Sequence, residues 1–136
     1  MTLSDNDDDF YFLRLTAGSQ PLAGIGVRRN TGVDKWVLYA RSGSGFIGPI
    51  YATSPTITMS QWYCIELHWK QDTSQGLVEI FIDGVRIFQI TGINTAYYGN
   101  AQRAELGITS TTNVQKSLVV YADCFVLSRT YVSLEP

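Results

Sequence analysis

The side chains with chemistry to offer are few. Trp36, Tyr39, Tyr97, Tyr98 and Tyr121 supply aromatic rings; Arg41, Glu66, His68 and Arg103 supply hydrogen-bonding groups. Rings of this kind stack on the apolar C–H faces of sugars, while guanidinium forks and carboxylates bond hydroxyls. The combination suits a carbohydrate chain. Tyr97 and Tyr98 fall in a polar loop, where contacts concentrate. Trp36 lies in a strand, and the core is its stronger reading because buried Trp dominates packing. Trp62 and Trp69 are assigned to the core.

Groups for catalysis are sparser. His68 is the single histidine, so no second histidine can act beside it. Glu79 and Asp83 are the nearest carboxylate pair, and a turn already accounts for Asp83. Glu66 and Glu79 could face each other across paired strands, where outward carboxylates are ordinarily solvated. There is no Ser-His-Asp arrangement, no Gly-rich phosphate loop and no metal-ligand spacing. The expectation is a binder, with hydrolase or lyase activity the minority reading. The acidic run DNDDD (residues 5–9) would suit calcium, but reads as a solvated linker. No cofactor is required by this reading, and calcium is the one metal worth naming; Asp123 interrupts an apolar strand, where a buried carboxylate needs a partner, which could be an Arg, a backbone cap or calcium at the sandwich edge.

Strands must position these groups. In residues 63–70, Tyr63, Ile65, Leu67 and Trp69 alternate with Cys64, Glu66, His68 and Lys70, a period of two. A polar turn, QDTSQG, leads to a second strand at 77–82. Asp83-Gly84 then fits a two-residue type I′ turn. It predicts Ile82 opposite Val85, Ile80 opposite Ile87 and Val78 opposite Gln89. The other face then mixes Phe81, Arg86, Glu79 and Phe88. Upstream strands are expected at 10–16, 22–29 and 34–41, with a short one at 49–53 after a flexible 42–48. In the first, Phe10, Phe12 and Arg14 share one side, and Tyr11, Leu13 and Leu15 the other. Gly24 and Gly26 in the second mark a bulge or a close backbone approach. After a long loop from residue 91, strands follow at 103–109 and 117–128. Nine or ten strands without a helix indicate an all-β, antiparallel two-sheet sandwich.

The totals agree. The chain has 136 residues, enough for one core, with 16% charged and 12% aromatic side chains. A net charge of −2 argues against nucleic acid as the main partner. No apolar run approaches the roughly 20 residues of a membrane span, so no membrane partner is expected. Residues 1–9 read as linker, 10–130 as the sandwich and 131–136 as tail. Cys64 and Cys124 are both placed in strands, too few for a disulfide scaffold; whether they bond each other is open.

The succession QWYCIELHWK, GLVEIFIDGVRIFQITG, AELGIT and VVYADCFVLS resembles the concanavalin A-like lectin/glucanase superfamily, and within it the laminin-G-like jelly rolls. The resemblance implies two antiparallel sheets and a shallow groove that binds glycans. Retaining hydrolases on that fold share a Glu-x-Asp-x-x-Glu strand, which is missing here. Such domains usually carry one or two more strands upstream, so an open sheet edge is expected. The implied role is a carbohydrate-binding module that binds a polysaccharide through a concave sheet face and loop aromatics. It would belong to a larger secreted protein, extracellular or at the cell surface. The alternative is a structural or adhesive domain that binds protein, or forms a homo-oligomer through the open edge.

Overall fold

The computed structural model describes residues 9–30, 33–58, 60–112, 120–123 and 125–128. These form eight strands and no helix: β1 (Asp9–Ala17), β2 (Gln20–Asn30), β3 (Val33–Ser42), β4 (Gly45–Ala52), β5 (Ile65–Lys70), β6 (Gly76–Ile82), β7 (Val85–Ile93) and β8 (Arg103–Thr112). Two antiparallel sheets result, one ordered β4-β3-β2-β1-β8 and the other β5-β6-β7. The expected all-β sandwich is therefore present.

The core lies where the sheets face each other. Ala23, Ile25, Leu38 and Ala40 of the larger sheet pack with Val78, Ile80 and Ile82 of β6, all at 0–1% exposure. Each large aliphatic buried here contributes about 1.5–3 kcal/mol. Trp36 closes one end of this core. Its Nε1 donates to the Pro55 carbonyl at 2.8 Å, and Tyr63 meets it edge-on at 5.2 Å.

The β6–β7 turn is as expected: Asp83 and Gly84 have φ of 50° and 78°, both in the left-handed region that a type I′ turn requires. Asp83 also holds the start of β5. The Cys64 amide donates to Asp83 Oδ1 and the Asp83 amide to the Cys64 carbonyl, both at 2.8 Å. Beyond the turn the register differs from the regular one. Ile82 pairs with Val85 and Phe81 with Arg86, but Ile80 then pairs with Phe88 and Val78 with Ile90. Ile87 is the extra residue of a β-bulge. The bulge sorts a mixed face: Phe88 turns into the core at 6% exposure, and Gln89 turns out beside Glu79.

A second bulge does the same in β1. Tyr11 pairs with Gly26, but Leu13 pairs with Ile25, leaving Phe12 as the extra residue. Phe10, Phe12 and Leu13 are all buried, and Arg14 joins Tyr11 on the outer face, correcting the expected division of this strand.

Other boundaries move too. The segment expected to be flexible, 42–48, holds the tight β3–β4 turn and the start of β4. Strand β7 continues to Ile93, into the expected loop. Cys64 precedes β5 rather than lying in it and is a free thiol; Cys124 lies outside the described residues. The expected closing strand is not formed where it is described: residues 120–123 and 125–128 have no strand pairing, and Phe125, Val126 and Leu127 are exposed. Residues 117–119 of that expectation lie outside the described residues.

That segment borders an open cavity of about 1410 Å³ beside β5 and β8, floored by Phe10, Phe12, Leu13 and Leu15. Among the described residues the sheet facing the larger one has three strands. Leu106 of β8, at the cavity, is 44% exposed, and Ile108 further along the strand 46%. Trp62, expected in the core, lies at this mouth at 67% exposure.

Candidate functional site on the outer face of the larger sheet

Two glycines shape this face. Gly24 and Gly26 occupy outward positions on β2, the central strand. A Cβ at Gly26 would lie 2.1 Å from the Phe10 carbonyl oxygen; one at Gly24 would lie 2.4 Å from the Tyr39 ring. The bare backbone lets side chains from β1 and β3 lie across the sheet rather than stand on it. Tyr39 covers Gly24, and Tyr11 meets Tyr39 edge-on with centroids 4.9 Å apart.

Strand register then lines up a row. Glu105 of β8 pairs with Arg14 of β1, Arg14 with Gly24, and Gly24 with Tyr39 of β3. Arg14 Nε donates to Glu105 Oε2. That bond, ahead of the charge of Arg14 itself, holds the Glu105 carboxyl below the usual glutamate range. Burial pushes the Tyr39 hydroxyl up from 10 despite the nearby Arg14, and pushes Tyr11 up further, with Asp9 adding to it. Both phenols therefore stay protonated at neutral pH, able to donate as well as accept. At the next positions, Arg28 lies over the Tyr51 ring at 5.5 Å and approaches Asp9 Oδ2 at 3.9 Å.

One end of the face is rimmed by the 94–102 loop, which the Asn94 carbonyl ties to the β3–β4 turn through the Gly43 amide at 2.8 Å. Here the Arg41 guanidinium is held between Phe46 (3.8 Å to the centroid) and Tyr98 (4.7 Å). Its Nε donates to the Pro21 carbonyl, Nη1 to the Ser44 carbonyl and Nη2 to Gln20 Oε1. At 6% exposure Arg41 is a staple between two hairpins, not an available donor. It orients the rings beside it: Phe46 packs on Tyr39 at 5.6 Å, and Tyr97 packs on Tyr98 at 4.8 Å. Phe46 and Tyr97 remain 51% and 58% exposed.

Of the residues singled out from sequence, Tyr39, Arg41, Tyr97, Tyr98 and Arg103 belong to this face or its rim. Trp36 does not, being a core residue at 2% exposure. Glu66 and His68 lie on the outer face of the other sheet. There His68 sits between Glu66 (3.3 Å) and Glu79 (3.6 Å), and Arg86 bonds Glu79 at 3.1 Å. Tyr121 is 77% exposed beside the apolar mouth. Among the described residues no cluster of three metal-ligating side chains is present. Asp123, expected as a buried carboxylate in a strand, is instead exposed, lies outside any strand and borders the mouth.

Tyr11, Arg14, Phe46, Tyr51 and Glu105 were missed by sequence reasoning. The two in-phase glycines were the available signal, since a bare track on a central strand is where neighbouring rings can lie down.

In comparisons with known proteins, no family model matches the chain, and neither a curated protein nor a solved structure matches it.

Proposed function

We propose that the chain is a non-catalytic carbohydrate-binding module whose glycan lies across the outer face of the larger sheet. The observation that carries this is the row Glu105–Arg14–Tyr39, set beside Tyr11 over the glycine track. It puts aromatic surface next to carboxylate, guanidinium and phenol groups, the set that recognises sugar C–H faces and hydroxyls. Tyr97 and Phe46 extend it with exposed rings at the rim. The face is open, as binding along a polymer requires. Affinity electrophoresis against a broad panel of soluble glycans tests the reading. A retarded species is expected, with retardation lost at least tenfold in Tyr39→Ala. Failure to bind any member of the panel would remove it.

A second reading has its own support. The apolar mouth beside β5 and β8, lined by exposed Leu106, Phe125, Val126 and Leu127, suits association with another copy in a structural or adhesive role. Sedimentation showing a concentration-dependent oligomer, together with no glycan affinity, selects this reading over the first.

A further inference from the structure

Exposed apolar surface is concentrated on one side of the molecule. Among the described residues eleven large apolar side chains stand exposed. Six of them border the mouth beside β5 and β8: Trp62, Leu106, Tyr121, Phe125, Val126 and Leu127, at 44–77%. Taking about 150–250 Å² for a large side chain fully in water, those fractions amount to roughly 750 Å². The largest apolar patch on a typical monomer is about 300–600 Å².

The patch holds both a hollow and side chains to fill one. The hollow is the cavity of about 1410 Å³. At its border the chain packs Val120 against the core and leaves Phe125, Val126 and Leu127 to solvent. Strand edges flank it as well: among the described residues β5 pairs only with β6, and β8 only with β1. The opposite edge of the larger sheet is β4, which carries Pro49 and so lacks one N–H for an added strand.

Resting on the self-association reading above, we infer that this mouth is the interface of a closed two-fold dimer, each copy covering the other's hollow with the side chains that border its own. A two-fold contact uses one patch twice, so it satisfies hollow and side chains together and leaves no such surface over. Covering two-thirds of the patch on both copies buries about 1,000 Å², where specific interfaces begin. A net charge of −2 opposes the approach of two copies only weakly. Glu66 and Asp83 at the border are already engaged, by His68 at 3.3 Å and by the Cys64 amide at 2.8 Å. Growth into a filament would need a second patch of this size. The other five exposed apolar side chains are instead spread over β3, β4, β7, β8 and the 94–102 loop.

The test is sedimentation equilibrium of the intact chain from about 1 to 300 μM, the range of a weak interface of this size, with acrylamide quenching of tryptophan read alongside. Monomer should convert to dimer within that range and go no further. Trp62, 67% exposed where Trp36 is 2%, should be quenched in the dilute sample and at least threefold less in the dimer, a change absent in Trp62→Phe. Leu127→Glu should raise the dissociation constant at least tenfold without moving the thermal midpoint of the dilute monomer. Val85→Glu, on a side chain 64% exposed but away from the mouth, should leave that constant unchanged. Assembly that continues past the dimer refutes the closed contact and leaves the self-association reading intact. No weakening by Leu127→Glu, or equal weakening by Val85→Glu, puts the interface elsewhere and refutes it too. A chain that stays monomeric throughout removes the underlying reading itself. Shielded Trp62 would then mean that the chain covers its own mouth, and a co-purified lipid in native mass spectrometry that an apolar molecule fills it.

Discussion

The two outer faces of the sandwich use the same device to opposite ends. On the three-stranded sheet the centre is an acid: Glu79 gathers Arg86, Gln89 and His68 around one carboxylate. On the five-stranded sheet the centre is bare backbone, and cations and rings from neighbouring strands close over it. In the first face each side chain stands on its own strand and pairs across to the next. In the second, removal of two side chains from the middle strand creates a surface that its neighbours share. The contrast shows that a face becomes a plausible site less by the groups it carries than by where it omits them.

If that is correct, the glycine track should be the more sensitive element. Gly26→Ala brings a Cβ against a backbone carbonyl that cannot rotate away. It is expected to cost about 3 kcal/mol in urea unfolding, at the upper end of ordinary overpacking. A loss below about 1 kcal/mol would mean that the sheets slide to admit the methyl, and the contrast would fail.

A subtler effect concerns the two phenols beside the track. Burial raises the folded-state ionisation of Tyr11 and Tyr39 above the ordinary value of 10. The fold thus favours their protonated forms. That contribution is complete below pH 10 and is lost as pH rises through the folded-state values. Absorbance titration should show Tyr11 and Tyr39 ionising only as near-ultraviolet dichroism collapses. A single ionisation step with the dichroism intact would contradict this.

The smallest effect is expected on the opposite face. Glu79→Ala removes the acid at the centre of that network, yet its partners reach water. A loss of no more than about 1 kcal/mol is expected in the same urea assay. A larger loss would make the two faces equals.

Much of this architecture was legible. Period-two alternation in residues 65–70, 77–82 and 103–109, with the Asp-Gly turn, was enough for an antiparallel sandwich. The faces were not legible, because two bulges reset the phase in mid-strand. A regular reading put Phe88 beside Glu79 and Arg14 beside Phe10; Ile87 and Phe12 each absorb one residue and reverse those assignments. The warning was present in both strands as a face mixing charge with aromatic side chains. Trp62 and the 120–128 region went astray for a different reason. Apolar composition predicts burial only where an opposing layer exists, and Trp62, Phe125, Val126 and Leu127 are each half or more exposed. Arg41 looked like a donor because sequence does not reveal that three neighbouring oxygens already engage it.

The extra residue in β7 has one more consequence. Because Ile87 takes up the offset, the hairpin bend and the far half of its arm are set independently. A change of one residue in the bend need not propagate to Phe88 and Ile90, which keep their places against Ile80 and Val78. The arm behaves as a ruler with a slip joint, tolerant of small errors at its tip while its base stays aligned.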